Sequence, residues 1–299
     1  MRQSCGNRAA ITFILIVMIC LDGLLRMTAL YALTENEPSL NFSMGPLCHN
    51  DNKNTASSLI VFESMVPNLE EALLYLQRER KQQGRKATFL QIGANDGVTF
   101  DQLYPTLQNQ KEDWMGLMVE PQPILFSKLV LLHSDAKDWS FYQGVVTDTC
   151  QNGTVAFCET STPGVGDWKT QGQVNGIKEK GICEHIPGMV YVNRPCVSSF
   201  EELVKKGNGE FADAVHNKHS HTWTVDLIQI DAEGKDYDLI QMLTPNIRFT
   251  CINFEKSHMG APERHEATIQ KLGQLMNDTE SVIEYTRKGQ DTLACRIKK

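Results

Sequence analysis

Residues 88–97 read TFLQIGANDG, a short apolar run that stops at a polar turn held between Gly93 and Gly97. A run this short and this rich in Thr, Phe and Ile predicts a buried β-strand rather than a helix. The same signature returns at MGLMVE (115–120), SFYQGVV (140–146), TVDLIQID (224–231) and FTCINFE (249–255). Helical stretches separate these runs. NLEEALLYLQRERKQQG precedes the first strand, with Asn68 as its cap. TFDQLYPTL holds a short helix expected to break at Pro105. PILFSKLVLLH carries Pro123 in its first turn, and KDYDLIQML and EATIQKLGQLM follow the fourth and fifth strands. Lys235 and Asp236, which open KDYDLIQML, read as exposed. SVIEYTR and TLACRIK, joined through KGQD, read as an antiparallel hairpin. Strand and helix in alternation specify an α/β domain with a mostly parallel sheet covered on both faces.

Outside this block the chain changes character. Residues 1–8 read as a cytoplasmic tail, and AAITFILIVMICL opens a hydrophobic segment over 9–33, interrupted by Asp22 and Arg26. The segment exceeds the roughly 20 residues needed to span a bilayer, so it reads as a transmembrane signal anchor. Cleavage near Ala29 or Ala32, giving a secreted protein, is the alternative. The arginines ahead of the segment orient it as a single-pass type II membrane protein of the Golgi or endoplasmic reticulum, lumenal from about residue 34. Residues 34–58 are a polar lumenal stem. Residues 59–299 form the folded domain, with a Gly-rich, Cys-containing insertion over 147–200. At 41% apolar and 22% charged the composition is that of a folded globule. A net charge of −7 without any basic block argues against nucleic-acid binding.

Seven cysteines follow the anchor: Cys48, Cys150, Cys158, Cys183, Cys196, Cys251 and Cys295. They accompany N-glycosylation sequons at Asn41, Asn152 and Asn277, as a glycoprotein of an oxidising compartment requires. With Asn152-Gly153 as a two-residue hairpin turn, Cys150 and Cys158 fall out of register by roughly 10 Å, so each needs another partner.

The glycine turn lies beyond the carboxyl end of its strand, where open α/β sheets bind ligands. It is not the dinucleotide fingerprint, because Asn95 stands where the second glycine would admit a pyrophosphate. That disfavours a nicotinamide oxidoreductase. Glu120 ends the second strand, 23 residues after Gly97, where an acid grips both hydroxyls of a ribose. A nucleoside ligand without a pyrophosphate is implied, and S-adenosylmethionine fits.

FLQIGANDG, GLMVEPQPILFSKL and DLIQIDAEGKDYDLIQML together resemble the FkbM family of S-adenosylmethionine-dependent methyltransferases over about residues 86–257. The resemblance implies a class I methyltransferase fold, Rossmann-like, of seven strands with the last antiparallel. It also implies O-methylation of a hydroxyl on a glycan or small-molecule acceptor. Gly93, Ala94, Asn95 and Gly97 would cradle the methionine moiety, Glu120 the ribose, and Val145 and Val146 would flank the adenine. In such a fold the fifth and seventh strands are neighbours, which places Cys251 and Cys295 within bridging reach.

Methyl transfer to an alcohol needs alignment and somewhere for the proton to go. Asp231 and Glu233, at the end of the fourth strand, are expected beside Glu255 and His258 at the end of the fifth. Asp231 is the first choice for an acid near the methyl donor or acceptor, His258 is the candidate base, and Glu255 orients that base or the acceptor. A divalent cation on these carboxylates is the less favoured arrangement. His216, His219 and His221 lie ahead of the fourth strand, at the wrong end of the sheet, and read as a solvated loop. The alternative function is a non-catalytic binding or trafficking protein that keeps the fold.

Overall fold

A computed structural model of the protein describes residues 68–99, 101–160, 176–177, 189–232, 234–256, 259, 262–276, 281–288 and 291–298. These belong to one compact unit. The anchor expected over 9–33, the stem, Cys48, Cys183, Glu233, His258 and the sequons at Asn41 and Asn277 lie outside the described residues. Among the described residues no helix is long and apolar enough to cross a membrane.

The main sheet is built on β1 (Ala87–Ile92), β2 (Trp114–Val119), β3 (Trp139–Tyr142), β9 (Thr222–Ile230), β10 (Ile247–Glu255), β11 (Ser281–Lys288) and β12 (Asp291–Lys298). Their spatial order is β3-β2-β1-β9-β10-β12-β11, and the short β8 (His216–Asn217) pairs at the start of β9. The pairs β1/β2, β2/β3, β1/β9 and β9/β10 are parallel, whereas β12 runs antiparallel to both β10 and β11. Counted along the chain, the seven strands therefore stand 3-2-1-4-5-7-6, with the seventh reversed. The sheet grows outward in both directions from β1 and β9, so their carboxyl ends form the topological switch point.

Every residue of β1 is buried, as expected of a central parallel strand covered on both faces. One cover is α1 (Leu69–Gln82), whose Ala72, Leu73 and Leu76 pack with Phe89 and Leu227. Asn68 and Glu71 form a reciprocal capping box at its start. Its far end is locked to the sheet by Arg80, whose Nε donates to Asp226 Oδ1 at 2.7 Å. Thr88 N donates to the other carboxylate oxygen at 2.9 Å. Asp226 is fully buried, so the ion pair and these hydrogen bonds are what make its charge tolerable. This lock sits at the amino ends of the strands and leaves the carboxyl ends free for a site.

Three local expectations need correction. Pro105 does not break a helix: it stands in the first turn of α2 (Tyr104–Gln108), where its missing N–H costs nothing. The stretch 140–146 is two strands. The chain leaves the main sheet after Tyr142, and β4 (Val145–Val146) pairs instead with β7 (Met189–Val197), Val145 opposite Cys196. Asp236, read as exposed, is fully buried at the start of α4 (Asp236–Met242), because its carboxylate is needed by two backbone N–H groups described below.

The segment 147–200 contributes three strands to a second sheet, β4-β7-β5-β6, with β5 (Thr154–Thr160) antiparallel to β7 and to β6 (Gly176–Ile177). The turn into β5 is the two-residue hairpin expected from its sequence. Asn152 and Gly153 take φ of 53° and 75°, and Gln151 bridges Thr154. Cys150 bonds Cys196 with a Cα–Cα distance of 5.7 Å, and Cys158 is disulfide-bonded as well. Cys251 and Cys295, opposite one another on β10 and β12, form another disulfide at 4.1 Å between Cα atoms. His216 stacks on Trp223 at 4.3 Å, at the amino end of β9.

Candidate functional site

The glycine turn is clamped on two sides. Gly93 N and Ala94 N both donate to Val119 O, at 3.1 and 3.0 Å, tying the turn to the end of β2. Asp231 N donates to Ile92 O at 3.0 Å, which brings the end of β9 to the same corner. Gly93 has φ of 82°, and a Cβ placed on it would lie 1.8 Å from the backbone oxygen of Asp231. Only glycine allows this approach of two main chains. Gly97, with φ of 77°, closes the turn over Leu129 of α3 (Pro123–Leu132) and His133, which a Cβ would strike at 2.6 and 2.8 Å.

Asn95 answers how a side chain fits where a dinucleotide turn needs glycine. It adopts a left-handed φ of 53°, and its Oδ1 accepts from Asp96 N at 2.7 Å, so the side chain folds back into the turn. Asp96 in turn accepts from Thr99 N at 2.7 Å and Thr99 Oγ1 at 2.8 Å. Burial works against its charge, but these bonds from Thr99 and one from Val98 hold its carboxyl below the usual range.

Glu120 faces this turn. Its Oε2 accepts from Asn95 N at 2.9 Å and its Oε1 from Gln122 N at 2.9 Å. The residue is 4% exposed, and burial pushes its carboxyl up to about 8, against those two hydrogen bonds and with help from the charge of Asp96. A carboxylate offers about four lone-pair positions. Two are taken by N–H groups, which leaves two acceptors for a vicinal diol.

Asp231 and Glu255 reach the same end of the sheet, and the buried Asp236 joins them. Asp236 Oδ1 accepts from Glu255 N at 3.0 Å and Oδ2 from Ala232 N at 3.3 Å. One carboxylate thus spans the ends of two adjacent strands and sets the spacing of the acids they carry. Burial raises it to about 7, opposed by these bonds and reinforced by the charge of Glu255. Asp291, opposite Glu255 in register, is also raised by burial, against a hydrogen bond from Gln102. Among the described residues no group of His, Cys, Asp and Glu is arranged to hold a metal ion.

The structure therefore brings together Gly93, Ala94, Asn95, Gly97, Glu120, Asp231 and Glu255. It sends Val145 into a small core with Val155, Phe157 and Cys196, and Val146 into the main core. Sequence reasoning missed Asp236 and a buried polar row in one register across the sheet: Gln91, Gln229 and Asn253. Asn253 donates to Gln229 at 2.8 Å, and Gln91 hydrogen-bonds Asp101, whose carboxyl burial raises. A signal was present: TFLQI and TVDLIQI each carry a glutamine one residue before the end of a strand otherwise suited to burial.

Strand order and turn define the class: a Rossmann-like α/β domain of the methyltransferase type, with a mostly parallel sheet and one reversed strand. No protein-family model matches the chain, and no curated protein matches it. Among solved structures it is similar to the fibrillarin pre-rRNA processing protein of Methanococcus jannaschii, at 11% identity over 72% of this chain and 67% of that one, TM-score 0.36. It is also similar to precorrin-6y C5,15-methyltransferase of Geobacter metallireducens, at 10% identity over 82% and 93%, TM-score 0.34. Fibrillarin of Aeropyrum pernix, solved with natively bound S-adenosyl-L-methionine, is similar at 9% identity over 71% and 67%, TM-score 0.33. At such scores the class of the fold rests on the strand order itself.

Proposed function

We propose that this chain is an S-adenosylmethionine-dependent O-methyltransferase of the FkbM type. It is anchored through residues 9–33 and acts in the lumen of the Golgi or endoplasmic reticulum on a hydroxyl of a glycan or secreted metabolite. The observation that carries it is the Asn95 N–H bond to Glu120, which joins the glycine turn to the strand-end acid at the switch point of the sheet. The residues present suit the donor. Gly93 lets the ends of β1 and β9 meet at the corner where the methionine end would lie, and Glu120 keeps two acceptors for the ribose.

When bound, S-adenosylmethionine supplies a methyl group on a positively charged sulfur. The chain's part is to align it and exclude water. Gly93–Gly97 hold the methionine end through backbone groups. Asp231, whose main chain meets Gly93, is assigned to the transfer region, where a carboxylate suits the donor's charge. Glu255 positions the acceptor, and His258 with Glu233 takes the hydroxyl proton.

Calorimetric titration of the full-length chain with S-adenosylmethionine tests this. Glu120→Gln removes one acceptor and the charge while keeping the shape. At about pH 9, where Glu120 is ionised, its charged hydrogen bonds contribute about 1.5–3 kcal/mol each, so binding weakens roughly 10- to 100-fold. A folded wild-type chain that binds no S-adenosylmethionine would reject the enzyme in favour of a binding or trafficking protein.

A further inference from the structure

The sequon Asn152-Gly153-Thr154 has no part in methyl transfer, and its place in the fold assigns it a use. Gln151 to Thr154 are all exposed, whereas Val155, the next residue, is buried. The acceptor asparagine thus stands at the outermost point of the hairpin. Its neighbour Gly153 looks into open space: a Cβ there would meet nothing within 4 Å. The turn's conformation is independent of the asparagine amide, because φ values of 53° and 75° and the Gln151–Thr154 bridge define it through the main chain. Two residues before the sequon, Cys150 is joined to Cys196, and Cys251–Cys295 forms a second bond. Disulfides of this kind form and persist where the chain has passed through an oxidising compartment, which is also where oligosaccharide transfer takes place.

We propose that Asn152 carries an N-linked oligosaccharide at the tip of the β-hairpin. In the transfer, the Asn152 amide nitrogen forms a bond to the anomeric carbon of a lipid-pyrophosphate-linked oligosaccharide. The carbon–oxygen bond to phosphate breaks, the lipid pyrophosphate leaves with the electron pair, and the amide gives up one proton. The tip holds the glycan clear of both sheets, so the folded domain accommodates it without repacking. The hairpin then presents a hydrated surface beside the small sheet. This shares with the methyl-transfer reading its lumenal location and nothing else: loss of donor binding leaves it untouched.

The test uses the full chain made in animal cells with Asn41→Gln and Asn277→Gln, so that Asn152 is the remaining sequon. Treatment with peptide-N-glycosidase F is expected to give one downward step in gel mobility. Peptide mass spectrometry should show Asn152 converted to Asp on release. Thr154→Ala removes the acceptor signal without disturbing the left-handed residue, and is expected to abolish the step while the Cys150–Cys196 bond still forms. Asn152→Gln should behave in the same way. An unmodified Asn152 peptide from protein whose disulfides have formed would overturn the assignment. So would a mobility step that survives Thr154→Ala.

Discussion

Gly93→Ala abolishes binding of S-adenosylmethionine and destabilises the fold by about 2–5 kcal/mol. Two effects add. The new Cβ would lie 1.8 Å from Asp231 O, and that oxygen is main chain, so no side-chain rotation relieves the contact. The residue is also left at φ of 82°, which L-residues adopt only under strain. To make room the ends of β1 and β9 must separate, and this breaks the Asp231 N to Ile92 O bond that builds the corner. Calorimetric titration and urea denaturation read both consequences. Gly153→Ala is the control, because it has a similar φ of 75° and open space around it. It is expected to cost about 1 kcal/mol and leave binding intact. If Gly93→Ala bound the donor as the wild type does, the turn would not be its cradle.

Affinity for a ribose ligand is expected to rise about 50-fold from pH 6 to pH 8, and only about twofold more above that. The ribose hydroxyls donate to ionised Glu120, whose carboxyl burial holds up at about 8. At pH 6 only about 1% of it is ionised, and the apparent dissociation constant scales inversely with that fraction. Adenosine is the suitable probe, since it lacks the titrating amino-acid end of the full donor. Glu120→Gln should flatten the profile. A flat profile in the wild type would remove Glu120 from the ribose contact.

The same group has a sign for stability. Its folded value lies above the ordinary carboxyl value of 4.5, so the folded state holds the proton more tightly than the unfolded chain. The contribution is complete below about pH 4.5 and is lost as pH rises towards 8. Asp236, raised to about 7, acts in the same direction. The melting temperature of the unliganded protein therefore falls between pH 5 and 8, less steeply in Glu120→Gln.

Much of this was legible along the chain. TFLQIGANDG announced a buried strand and a turn because short apolar runs and paired glycines act within a few residues of themselves. Glu120 could be assigned to the turn because a strand's length and direction place its last residue. The spacing around Asn152-Gly153 excluded a Cys150–Cys158 bond, since hairpin register is local geometry.

Other features depended on which distant segments become neighbours. Cys150 could be denied one partner from spacing, but Cys196 became its mate only once β4 left the main sheet to lie beside β7. Asp236 looked like the solvated first residue of a helix. Packing of α4 against the ends of β9 and β10 turned it into the acceptor for two backbone donors. Asp226 likewise found Arg80 across 146 residues of chain. In each case a polar group removed from water must be paired by whatever the fold brings near. That pairing is a property of the assembled sheet, whereas strand, turn and cap are properties of the residues that form them.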